Sequence, residues 1–105
     1  MFENKTFVVT GGASGIGAAV ARAFVKEGAN VCIADIDGDA AQKTAEYING
    51  LGVQCDVRQE SEIVDLIATT QDHFGPIDVF ISNAGLARPE QGHAASASTE
   101  VWQLN

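Results

Sequence analysis

Four short apolar runs punctuate the chain, and stretches with helical spacing separate them; this alternation limits the possible folds more than any single residue does. Phe7-Val8-Val9, Val31-Cys32-Ile33-Ala34, Val53-Gln54-Cys55 and Ile77 to Ser82 read as strands, with turn chemistry at Gly11-Gly12 and Gly75-Pro76 bounding the first and the last. Between them, Ile16, Val20, Ala23 and Phe24 fall on one helical face, as do Ile63, Leu66, Ile67, Thr70 and Phe74 further on. Asp39 to Asn49 gives a third, weaker helix. Strands that are apolar on both faces need cover on both, and a helix after each strand supplies it through right-handed crossovers. The predicted fold is therefore α/β, a doubly wound parallel sheet truncated after the fourth strand; if it keeps the order usual for the first half of such a sheet, that order is 3-2-1-4. At 105 residues and 46% hydrophobic content the chain can bury one modest core, so it reads as part of a single domain. Ala87 to Thr99 reads as a long polar loop.

Charge excludes several classes of partner. Fourteen acidic residues against 6 basic ones give a net charge of -8, which repels phosphate backbones and anionic bilayers, so neither nucleic acid nor membrane is an expected partner. No run reaches membrane-spanning length, and MFENKTFVVTGG lacks the pattern of a signal peptide; the expected location is cytoplasmic. Cys32 and Cys55 sit in short apolar runs and are expected as buried, reduced thiols. Asp35, Asp37, Asp39 and Glu46 fall at relative positions 1, 3, 5 and 12 of a calcium loop. The glycine that such a loop needs at position 6 is Ala40, and a strand rather than a helix precedes Asp35, so no metal is expected.

The stretch Thr10-Gly11-Gly12-Ala13-Ser14-Gly15-Ile16-Gly17 joins the first strand to the first helix. A glycine-rich turn at that place reverses the chain tightly, brings main-chain amides against a pyrophosphate and aims the positive end of a helix at it. Turns also collect glycine for conformational reasons alone. The context favours the phosphate reading, because Asp35 ends the second strand 18 residues beyond Gly17, where a carboxylate can accept both hydroxyls of an adenosine ribose. No Arg or Lys beside Asp35 could neutralise a 2′-phosphate, and its own charge would repel one, so NAD is preferred over NADP.

With its leading threonine, Thr10-Gly11-x-x-x-Gly15-x-Gly17 resembles the T-G-x-x-x-G-x-G signature of the short-chain dehydrogenase/reductase family. Asp56-Val57 after the third strand looks like the family's adenine-contacting pair, and Ser82-Asn83-Ala84-Gly85 is similar to its N-N-A-G motif, with Ser82 in place of the first asparagine. The resemblance implies that Ser14, Gly15 and Ile16 offer main-chain groups to the pyrophosphate, while Gly11 and Gly17 permit the turn and the helix packing. It also implies that Asp35 holds the adenosine ribose, Asp56 meets the adenine amino group and Val57 bounds its pocket. Asn83, Ala84 and Gly85 would line the way to the nicotinamide ribose. An aspartate placed as Asp56 is can equally cap a helix.

The same resemblance implies hydride transfer between NAD and an alcohol or carbonyl substrate, usually in a homo-oligomer, by a serine, a tyrosine and a lysine four residues after it. Tyr47 is the only tyrosine and Leu51 stands four places on, so it is not a catalytic candidate. His73 and His93 have no acid or nucleophile in a recognisable arrangement. In the family an asparagine in the helix after the fourth strand supports the proton relay, but Asn105 follows Trp102 too closely to match it. No catalytic residue is therefore assigned, and the 105-residue chain by itself is expected to bind the cofactor without turnover. Its last strand, with the apolar sequence IDVFIS, is expected to be a bare, aggregation-prone edge. Alternative readings are a truncated nucleotide-binding or interaction module and an S-adenosylmethionine methyltransferase; the glycine spacing and Asn83-Ala84-Gly85 argue against the methyltransferase.

Overall fold

The computed structural model describes residues 2–83 and 99–103. Its elements run β1 (Thr6–Thr10), α1 (Gly15–Lys26), β2 (Asn30–Asp35), α2 (Gly38–Ile48), β3 (Leu51–Gln54), α3 (Glu60–Phe74), β4 (Val79–Asn83) and β5 (Thr99–Gln103). The sheet order is β3-β2-β1-β4-β5, parallel from β3 through β4, as the alternation of runs predicts.

Strand alternation divides the core in two. Phe7 and Val9 point with Val31, Ile33 and Ile81 toward Ala21 of α1 and Ala41, Ala45 and Ile48 of α2. Val8 points the other way, with Cys32 and Ala34, toward Leu66 of α3. The central strands β1 and β2 are therefore apolar on both faces, which is why these segments read as continuous hydrophobic runs. Cys32 and Cys55 are both buried on the α3 side.

Local chemistry sets the element ends. The Asp37 carboxylate caps α2 by accepting from the Ala40 amide at 3.1 Å, and Asn49 ends that helix in the left-handed conformation at φ 60°. The calcium-loop decoy thus resolves into a strand end, a helix cap and helical positions. Ile77 is buried but precedes β4, and Asp78 between them closes the start of β1. Its amide donates to the Thr6 carbonyl at 2.9 Å and its carboxylate accepts from the Thr6 amide at 2.9 Å.

One expectation is corrected at the sheet edge. β4 is not bare: β5 pairs with it antiparallel, from Val79 opposite Gln103 to Asn83 opposite Thr99. Residues 99–103 thus form a fifth strand, beyond the four that the apolar runs predict. An open edge presents a row of unpaired amides and carbonyls, and the returning chain satisfies them. Residues 87–98 of the expected polar loop lie outside the described residues. No helix among the described residues is long and apolar enough to cross a membrane.

Candidate functional site

The chain winds outward from β1 to β2 and β3, then returns to place β4 on the other side of β1. That reversal opens a crevice at the carboxyl ends of β1 and β4, where the glycine turn lies. Gly11 adopts φ +64°, and a Cβ there would stand 2.9 Å from the Asn83 carbonyl oxygen. A Cβ on Gly17 would strike the Gly11 carbonyl and stand 2.8 Å from Gly12 Cα. Those two glycines are required by packing inside the chain. Gly15 is not: it is exposed, and a Cβ there would meet nothing within 4 Å.

Ser14 organises the start of α1. Its hydroxyl donates to the Gly11 carbonyl at 2.7 Å and accepts from the Gly17 amide and from Asn83 Nδ2, each at 3.3 Å. One donor and two lone pairs are all used. The Ser14 amide is also spent, on the Gly11 carbonyl at 3.1 Å. Among the described residues the amides of Gly15 and Ile16 have no acceptor, so these two donors face outward from the positive end of the helix.

Asn83 ties the turn to β4. Its amide donates to Thr10 Oγ1 at 3.1 Å, and the Thr10 hydroxyl in turn donates to the Ile81 carbonyl at 3.4 Å. Together with the bond to Ser14, this answers how the corner is held with Ser82 in place of an asparagine: the main chain and side chain of Asn83 bridge β1, the turn and α1. Ala84 and Gly85 lie outside the described residues.

The second and third strand ends complete the site. Asp35 Oδ2 accepts from the Ala13 amide at 3.2 Å and Oδ1 from the Asp37 amide at 3.0 Å, so its carboxylate stands between the end of β2 and the glycine turn. Cys55 donates its amide to the Asp35 carbonyl at 2.9 Å, which brings Asp56 and Val57 alongside. Asp56 is not the side-chain cap of α3; Gln59 holds the cap position. Arg58 grips the Asp56 carboxylate instead, with Nε on Oδ1 at 3.0 Å and a terminal nitrogen on Oδ2 at 2.9 Å. That guanidinium holds the Asp56 carboxyl below its ordinary range.

Two apolar side chains stand open beside these acids, Val57 at 42% exposure and Ile36 at 52%. Sequence reasoning found Val57 and missed Ile36 and Arg58. The available signal was position, since each directly follows or nearly follows an acid that ends a strand. Gly11 through Gly17, Asp35, Asp56, Val57 and Asn83 therefore converge on one end of the sheet. Tyr47 and His73 lie elsewhere, on α2 and near the end of α3. His93 lies outside the described residues.

Comparison with known proteins gives one answer. Residues 5–104 match the short chain dehydrogenase family. The chain is 43% identical to tropinone reductase-like 2 of Erythroxylum coca over 86 residues, 80% of this chain and 31% of that protein. It is 41% identical to an uncharacterized oxidoreductase of Mycobacterium bovis over 92 residues, 84% of this chain and 37% of that protein. It is 48% identical to a (+)-cis,cis-nepetalactol synthase of Nepeta racemosa over 88 residues, 80% of this chain and 33% of that protein. The chain spans about a third of the length of the curated relatives it matches. A glycine turn over a doubly wound sheet, an acid at the end of β2 and a match over residues 5–104 agree: the chain belongs to the short-chain dehydrogenase/reductase family.

Proposed function

We propose that this chain forms the NAD-binding part of an oxidoreductase that moves hydride between NAD and an alcohol or carbonyl substrate. The observation that carries the reading is Gly15. Packing accounts for the missing side chains of Gly11 and Gly17, whereas the space above Gly15 is open and lies beside two free amides at a helix start. A phosphate group fits that space and those donors. When bound, the nicotinamide supplies the hydride chemistry.

The chain's own residues bind and orient. The amides of Gly15 and Ile16 meet the pyrophosphate, and the packing of Gly17 against Gly11 keeps them aimed at it. The Asp35 carboxylate, already fixed by two main-chain donors, accepts the ribose hydroxyls and repels a 2′-phosphate, which favours NAD over NADP. Ile36 and Val57 offer apolar walls to an adenine ring, with Asp56 as acceptor for its amino group. Asn83, Ala84 and Gly85 lead toward the nicotinamide ribose. The groups that exchange the substrate's proton are proposed to lie outside residues 1–105, so this chain by itself binds without turnover.

The test separates folding from binding. Gly15→Ala places a methyl group in open space at the first helical position, where alanine is tolerated as well as glycine or better. Its unfolding midpoint should match the parent, while NAD affinity measured by calorimetry should fall about tenfold or more. Equal NAD affinity in the two proteins, or no NAD binding by the parent, would overturn the reading.

A further inference from the structure

A second feature lies away from the strand ends. Helices α1 and α2 cover the same face of the sheet, and their outer sides enclose an open groove of about 220 Å³ lined by Ala18, Arg22, Lys43, Thr44, Tyr47 and Ile48. Ala18 and Arg22 are one turn apart on α1; the other four residues come from two turns of α2. Two of the chain's 6 basic residues meet here, and among the described residues no acidic side chain lines the groove. Asp39 and Glu46 also belong to α2, yet among the described residues neither Arg22 nor Lys43 has a carboxylate within 4 Å. Arg22 instead lies over the Tyr47 ring, 5.9 Å from its centroid, and Tyr47 is 77% exposed. In a protein of net charge -8, two cations that share one concavity with no carboxylate partner among the described residues form a local exception to the field around them.

The chemistry of the lining defines the ligand. Ala18 and Ile48 supply an apolar floor, and Arg22, Lys43, Thr44 and Tyr47 supply donors around it. A guanidinium fork together with an ammonium point charge balances an anion of nearly two charges, the state of a phosphomonoester at neutral pH, better than it balances a single carboxylate. The volume is below that of a drug-sized site, so the body must be small. We propose that the α1–α2 groove binds a small phosphomonoester with an apolar body, its phosphate held by Arg22 and Lys43. The site is distinct from the strand-end crevice, and the proposal does not depend on the NAD reading.

Phenyl phosphate is the probe, titrated into the 105-residue chain and followed by amide chemical shifts. Saturable shifts are expected at the groove-lining residues, with a Kd of about 1 mM. Benzoate and inorganic phosphate, which lack the second charge and the apolar body respectively, should each bind at least about threefold more weakly. The double variant R22Q/K43Q keeps both surface side chains polar; it should preserve the spectrum of the fold and weaken phenyl phosphate about tenfold. NAD should not displace the probe. Shifts that rise without saturation, benzoate binding as tightly as phenyl phosphate, an unaffected double variant, or displacement by NAD would each overturn the proposal. Saturable phenyl phosphate binding in a chain that fails to bind NAD would sink the cofactor reading alone.

Discussion

Asp35 has two tasks whose energetics can be separated. It fixes the glycine turn through the Ala13 amide, and its negative charge sits where a 2′-phosphate would arrive. Asp35→Asn keeps size and one acceptor oxygen but removes the charge. The preference for NAD over NADP should therefore narrow by about tenfold, checked as the ratio of the two dissociation constants; an unchanged ratio would place cofactor choice in another residue. Cys32 supports a prediction in pH. Burial pushes its thiol up to about 11 from an ordinary 9.0. A raised value means the folded state holds the proton more tightly. The resulting stability is complete below pH 9 and lost as pH rises toward 11, with an order of magnitude of about 3 kcal/mol. Urea midpoints measured across that window should fall in the parent and stay flatter in Cys32→Ala. At this scale Gly15 and Asp35 were legible because their residue types are unusual at their positions. Arg58 was less so, since its only signal is its place two residues after Asp56, and an exposed arginine there need not turn its guanidinium onto that carboxylate.

Elements depend on one another most visibly where β1, α1 and β4 meet. Thr10 is 1% exposed and its hydroxyl is the acceptor for the Asn83 amide. Thr10→Val keeps the shape but removes that buried acceptor, at a cost of about 1–3 kcal/mol. Asn83→Ala removes the side-chain bond to Ser14 and should cost about 1 kcal/mol. Chemical denaturation of the two variants tests the order; an equal or reversed ranking would show that the main-chain link does not hold the corner. The elements themselves were readable because each buried strand shows a continuous apolar run and each helix an apolar stripe. Their ends were less readable. The apolar run from Ile77 to Ser82 suggests a strand from its first residue, yet β4 starts at Val79, and Asp78 before it bonds to Thr6 through both its amide and its carboxylate. Such a long-range bond leaves no periodic trace in sequence.

For the whole molecule, the balance lies at the sheet edge. Four parallel strands followed from helix-separated apolar runs, since few topologies connect such runs without left-handed crossovers or crossing loops, and their order is the one usual for doubly wound sheets. The fifth strand did not, because the sequence of residues 99–103 neither alternates nor forms an apolar run. What places β5 is the vacancy beside β4, a property of the assembled sheet. The same argument reverses the expected behaviour of the edge. With β5 in place, the backbone of Val79–Ser82 is paired on both sides, to β1 and to β5. A chain shortened to end at residue 98 loses the outer pairing and exposes a flat apolar strand to other copies of itself. Sedimentation velocity should show the shortened chain forming larger species as its concentration rises, and the 105-residue chain doing so much less. If both chains sediment alike at every concentration, β5 does not protect that edge, and the strand exposed after β4 is not what drives association.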